Sequence, residues 1–210
     1  KRREVMKEYL EKQADDSYKL VCGVGVNDLP NLTRINGKQG KDYQLWRDML
    51  RRSFSDVSDF ARSAYKDVTC CDEWLIFSSF INDIREKSGY GNDGWHLDKD
   101  ILIKGNKIYS RDTVCFVPKE INNLLTKNNK NRGGIPIGVY FQKERSSFAS
   151  MISINGKQKR LGCYKNPIDA FNAYKREKER FIKIKAEEYK DTLDPIVFDA
   201  LIKYEVDIND

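Results

Sequence analysis

The chain carries a single histidine, His96, in the run Trp95-His96-Leu97-Asp98-Lys99-Asp100. Side chains two positions apart share a face when the backbone is extended. On a strand, an imidazole able to take a proton would therefore stand beside a carboxylate able to hold a divalent cation. The chemistry open to such a pairing is proton transfer beside a bound metal ion. Asp100, Asn106 and Asp112 are further oxygen donors suited to magnesium. Each also fits turn and cap chemistry, as in Gly105-Asn106 and in Ser110 with Asp112. The competing reading of His96 is a plain surface residue beside Trp95.

Other reactive side chains offer less. Cys22, Cys70, Cys71, Cys115 and Cys163 make an odd count without a C-x-x-C pair. Adjacent Cys70-Cys71 cannot easily turn both sulfurs to one ion, so the count argues against structural zinc and for free thiols in a reducing cytoplasm. Basic residues number 38 against 32 acidic, a formal net charge of +6. Such a balance fits a nucleic-acid partner, because Lys and Arg release counterions from phosphates, although many proteins carry as much charge. No apolar run approaches the roughly 20 residues that span a bilayer. Lys1-Arg2-Arg3 has no apolar stretch behind it, so no signal peptide is expected.

The elements that must position these residues follow from periodicity. With 40% hydrophobic residues and 11 Tyr, 10 Phe and 3 Trp, the 210 residues can fill one large or two small cores. Residues 1–13 read as a short amphipathic helix, and 22–41 as loops with short strands. Tyr43, Trp46, Met49 and Leu50 fall at helical spacing, with Arg47, Arg51 and Arg52 around them. Trp74, Phe77, Ile81 and Ile84 predict another helix, with Asp72 as its N-cap. The aromatic residues of both runs are expected in a core. Trp95–Asp98 and Ile101–Ile103 flank a polar bend, and Pro118 is expected to open a helix carrying Ile121, Leu124 and Leu125.

Residues 127–134 hold no apolar side chain and read as a linker. Beyond them come three strand-like runs, Ile137–Phe141, Phe148–Ile154 and Lys159–Tyr164. Asn155-Gly156 is a hairpin signal between the last two. Pro167 starts a helix through about Glu188, with Ala170, Ala173, Tyr174 and Phe181 as its apolar stripe, and Pro195–Tyr204 reads as one more. A three-stranded sheet covered on one face by one helix leaves its other face open, and such a sheet can enter the DNA major groove.

Ile137-Gly-Val-Tyr140, Phe148-Ala-Ser-Met-Ile-Ser153, Arg160-Leu-Gly-Cys-Tyr164 and Asp169-Ala-Phe-Asn-Ala-Tyr174 together resemble the APETALA-type (ethylene-response-factor) DNA-binding domain. In that family the open sheet face reads the major groove. By position, the resemblance implies DNA contacts from Tyr140, Gln142, Met151, Ser153, Gln158 and Arg160. Lys143 and Arg145 would be phosphate contacts. The plant members hold arginines and tryptophans at several of these places, so a different base preference is expected here.

Residues 42–126 resemble the His-Asn-His (HNH) nuclease-like proteins of bacteriophages, often fused to an APETALA-type domain. The resemblance is carried by Tyr43-Gln-Leu-Trp46, Tyr65-Lys-Asp-Val68, Cys71-Asp-Glu-Trp74, Leu97-Asp-Lys-Asp100, Gly105-Asn-Lys-Ile-Tyr109 and Cys115-Phe-Val-Pro118-Lys-Glu-Ile-Asn122. It implies an α+β chain, a ββα-metal module followed by a three-stranded antiparallel sheet packed on one helix. The expected division is an N-terminal extension at 1–20, the nuclease-like module at 21–126, the linker at 127–134, the DNA-binding domain at 135–188 and a helical tail at 189–210.

The implied activity is Mg²⁺-dependent cleavage or nicking of double-stranded DNA, of the homing type, in the cytoplasm of a host cell. In the family a strand delivers an Asp-His pair and a helix returns a second ligand. Asp98 takes the Asp place, Lys99 stands where the general-base His should be, and Thr113 stands where the usual Asn precedes the helix. Lysine is a poor base unless its pKa is strongly lowered. A one-step shift in register would make His96 the base, with Asp98 or Asp100 as metal ligand. The alternatives are a decayed nuclease needing no cofactor, acting by occupancy as a regulator or a blocker of a host defence system, and a surface turned against a host protein. No membrane partner is expected.

Overall fold

In the computed structural model, residues 20–54, 65, 67–126, 134–154, 156–208 and 210 are described. The expected helix at 1–13, most of the linker, and Asn155 lie outside them. The chain is mixed α+β and divides into two compact units: Lys1–Tyr90 with Leu102–Cys115, and Gly91–Ile101 with Phe116–Asp210. This division differs from the expected boundary at 126.

The first unit holds a two-stranded ribbon, β1 (Arg34–Ile35) with β2 (Lys38–Gln39), followed by helix α1 (Lys41–Phe54). A short strand β3 (Thr69–Cys70) pairs in parallel with β5 (Ile108–Tyr109). The helix expected around Trp74 is in fact two pieces, a 3₁₀ turn at Asp72–Leu75 and α2 at Phe77–Arg85. Ile76 between them is extended (φ −101°, ψ 127°) because it bridges to Val26. Asp72 is consequently the first residue of the 3₁₀ turn, and the N-cap of the helix is Ile76. Trp46, Trp74, Phe77, Phe80, Met49, Leu50, Ile81 and Ile84 are all fully buried, as their spacing predicts. Both indoles are satisfied: Trp46 Nε1 donates to the Trp74 carbonyl and Trp74 Nε1 to Asp83 Oδ2, each at 2.8 Å.

In the second unit β4 (Trp95–Asp98) pairs with β6 (Cys115–Pro118), which runs directly into α3 (Lys119–Leu125). Pro118 keeps an extended ψ of 141° as the last strand residue, so the helix opens at Lys119 rather than at the proline. Ile101–Ile103 forms bends and no strand. Next comes the three-stranded antiparallel sheet, β7 (Val139–Gln142), β8 (Ser147–Ile154) and β9 (Lys157–Tyr164), in the order β7-β8-β9. A 3₁₀ turn at Lys143–Arg145 joins β7 to β8. A bulge lies at Ser150/Met151, and the Ile154↔Lys157 pairing leaves a two-residue connection at the expected hairpin.

Helix α4 (Pro167–Glu188) covers one face of that sheet. It starts where expected, because Pro167 fits the first turn and Asn166 Oδ1 accepts from Asp169 N at 2.8 Å. Val139, Ile152, Ala170, Phe171 and Tyr174 form the interface. The small Ala170 and Ala173 let the helix approach the sheet closely. About two turns further along, the buried residue is Ile182 rather than Phe181.

Helix α5 (Pro195–Ile202) is capped by Asp194. The chain after it belongs to the sheet–helix core rather than to a separate tail. Val206 is buried there, its N–H donates to Glu179 Oε1 at 2.8 Å, and its carbonyl accepts from Lys175 Nζ at 2.9 Å. Helix α3 is tied to α4 by Glu120, which accepts from Lys185 Nζ at 2.9 Å and from the Tyr189 hydroxyl. No helix among the described residues is long and apolar enough to cross a membrane.

Candidate nucleic-acid interface and candidate metal centre

The pleat of the sheet sorts its side chains. Val139, Ile152 and Leu161 turn toward α4. Tyr140 and Gln142 on β7, Met151 and Ser153 on β8, and Gln158 and Arg160 on β9 take the opposite face by alternation and register. The six residues that the resemblance implied for base contacts are thus gathered on one face. Tyr140 is 52% exposed. Ser153, Gln158 and Arg160 are exposed, and Met151 is half-buried.

A polar contact runs across this face. Arg160 donates to Gln142 Oε1 at 3.0 Å and also contacts the Cys163 thiol, which donates to the same oxygen at 3.2 Å. Cys163 was not among the expected site residues. The alternation of β9 broken by Gly162 is the signal that would have found it. Lys143 and Arg145 sit together in the exposed 3₁₀ turn, at one end of β8, and Lys157 sits in the hairpin at the other end. From Ile137 to Lys165 there are six basic residues and one acidic residue, Glu144. The exposed basic run of α4 is internally compensated: Glu177 accepts from Arg180 at 2.9 and 3.0 Å and from Lys159 at 3.0 Å. These bonds hold the Glu177 carboxyl down at about 2.

The second cluster lies on β4 and α3. In β4, His96 is exposed and Leu97 buried, so His96 and Asp98 share the face away from Leu97, as the spacing predicts for a strand. Asn122, one turn into α3, brings its carboxamide nitrogen to 3.5 Å from His96 Nδ1. Sequence reasoning quoted Asn122 only as part of a pattern; its place on a helix following a strand was the available signal.

Asp98 Oδ1 accepts from the backbone N–H groups of Asp100 and Ile101, at 2.8 and 3.0 Å, and so shapes the turn that ends the strand. Burial, followed by the neighbouring Asp100 carboxylate, pushes the Asp98 carboxyl up to about 6. Lys99 is buried, with its ammonium 3.6 Å from Asp100 Oδ2. That placement makes it a counter-ion to the turn.

Two adjacent carboxyls whose charges oppose one another are a donor set that a hard divalent cation fits. Among the described residues no three His, Cys, Asp or Glu side chains group as a metal site. A cation held by Asp98 and Asp100 alone would keep several waters, as Mg²⁺ commonly does.

In the first unit, the other proposed oxygen donors serve turns. Asn106 donates to the Ile108 carbonyl at 2.7 Å and accepts from its N–H at 3.2 Å. Thr113 Oγ1 donates to the same carbonyl at 2.6 Å and accepts from Ser110 N at 3.1 Å. Asp112 is exposed. Arg51 is exposed near Asp48, whereas Arg52 is half-buried and donates to the Tyr109 hydroxyl at 3.4 Å. No protein-family model, no curated protein and no solved structure matches the chain.

Proposed function

We propose that this chain binds double-stranded DNA by laying the open face of β7-β8-β9 into the major groove. The observation that carries this reading is the sheet itself: one face closed by α4, the other presenting Tyr140, Ser153, Gln158 and Arg160 exposed among the described residues, and the segment forming it holding six basic residues against one acidic. Strand β8 has eight residues, about 26 Å at the usual rise. That exceeds the roughly 12 Å width of the major groove. Lys143 and Arg145 at one end of β8 and Lys157 at the other can then meet phosphates on both sides. The test is anisotropy of a labelled random-sequence duplex with the full chain at low salt. Binding that falls steeply with salt is expected. No retention of duplex at low salt sinks the reading.

A second reading is metal-dependent cleavage of the HNH type. Its support is the chain order of strand β4, strand β6 and helix α3, with His96, Asp98 and Asn122 on them. A divalent cation, when bound by Asp98 and Asp100, would neutralise charge on the scissile phosphate. The exposed His96 imidazole would take the proton from water, with Asn122 fixing the ring. Supercoiled plasmid incubated with Mg²⁺ or Mn²⁺ separates the readings. Nicking by the wild type that is lost in both Asp98→Ala and His96→Ala supports cleavage. Intact plasmid with retained binding leaves occupancy, as a regulator or a blocker of a host defence system.

A further inference from the structure

The composition of the open face speaks to which base it reads, an inference that rests on the DNA-binding reading above. Guanine is read in the major groove by Arg or Lys, adenine by Asn or Gln, and thymine by apolar contact with its C5-methyl group. The face carries one guanidinium, that of Arg160, and Gln142 Oε1 already accepts from it at 3.0 Å. Gln142 is engaged by the same bond. The neighbouring positions are occupied by Tyr140, Met151 and Ser153.

Tyr140 pairs with Ala149, so Met151 is its diagonal neighbour on the same face of the adjoining strand. Diagonal neighbours are within reach of one another when the side chains are long or aromatic. With Tyr140 more than half exposed and Met151 half-buried, the two form an apolar step flanked by basic turns. We infer that Tyr140 and Met151 read the C5-methyl group of a pyrimidine in the major groove, and that the Lys143–Arg145 and Lys157 turns supply the phosphate contacts.

The occupant is double-stranded DNA and not an apolar protein partner, because the positive excess between Ile137 and Lys165, which remains with Lys159 offset by Glu177, would oppose burial against an uncharged surface. The apolar step is also small and lies within a basic frame.

The test uses the full chain and a duplex selected by it from a random pool. Affinity is then measured with each thymine replaced in turn by deoxyuridine, which lacks only the methyl group. A separate arm replaces cytosines by 5-methylcytosine. One buried methyl corresponds to about a fourfold change in Kd. The expected result is a loss of about fourfold at one or two thymines, or a matching gain at one 5-methylcytosine, which tells the two sources of the methyl group apart. Met151→Gln should weaken binding to the selected thymine duplex by about that factor and bring the thymine-to-uracil ratio toward one. Equal affinity for both pyrimidines at every position, with binding intact, overturns the inference and leaves DNA binding standing. Discrimination unchanged in both Met151→Gln and Tyr140→Ala overturns the assignment to these residues. Absence of any duplex binding overturns both readings.

Discussion

The Arg160 guanidinium reaches Gln142 Oε1 at 3.0 Å, joining the two outer strands of the sheet over the middle one. This bond decides how much of the basic charge on the open face is free. Gln142→Ala should release Arg160 and raise the share of guanine in sites selected from a random pool. Arg160→Ala should weaken DNA binding by about 1–3 kcal/mol and alter base preference, whereas Arg145→Ala should weaken all sequences alike and lower the salt slope by about one. Anisotropy titrations at several salt concentrations check the three variants together.

Asn122 faces His96 from the first turns of α3. If plasmid nicking is observed, Asn122→Ala should slow it by about 10- to 100-fold, the range found for residues that orient a metal-site side chain. A rate equal to the wild type would remove Asn122 from the site.

Glu177 joins α4 to β9 through Lys159 and is doubly bonded by Arg180. Its carboxyl titrates at about 2 in the fold against a usual 4.5. The bonds thus contribute stability that is fully present above pH 4.5 and is lost as pH falls through about 2. Glu177→Gln should flatten this part of the acid-denaturation profile between pH 4.5 and 2, with its loss of stability largest above pH 4.5 and vanishing near pH 2. Urea midpoints across that range measure it.

Ser150 is fully buried between the sheet and α4, and its hydroxyl has no hydrogen-bond partner among the described residues. An unsatisfied buried hydroxyl costs about 1–3 kcal/mol. Ser150→Ala should raise stability by about 1 kcal/mol, read from chemical denaturation, without affecting DNA binding.

Gly138 has φ +74°, and a Cβ built there would lie 2.1 Å from the Tyr174 ring. Gly138→Ala combines a left-handed backbone cost of about 1–2 kcal/mol with overpacking of about 1–3 kcal/mol. A loss of at least 2 kcal/mol is expected, seen as a lowered thermal midpoint.

The most legible parts of the chain were those where local chemistry and tertiary need agree. Pro167 and Asn166 announce the start of α4, and its 22 residues run to Glu188 as their periodicity says. The three strands before it came within a few residues of their observed ends. The apolar spacing from Trp46 to Leu50 and from Trp74 to Ile84 marked a core that the fold buries completely. Legibility failed where a distant partner overrode a local pattern. Ile76 sits in a helical period yet is extended, because Val26, far away in sequence, pairs with it. Val206 follows a helix that looked like a tail, yet it completes the core beneath the sheet.

By itself the sequence determined which residues can share a face. Period two puts His96 with Asp98 and Tyr140 with Gln142, because alternation is a property of any extended backbone. Only the tertiary structure decided what those faces meet. It set Asn122 against His96, turned Asp98 into its own loop, buried Lys99, and tied Arg160 to Gln142 across an intervening strand. Each of these depends on contacts between segments far apart in the chain, or on the burial they create, and no local spacing encodes them.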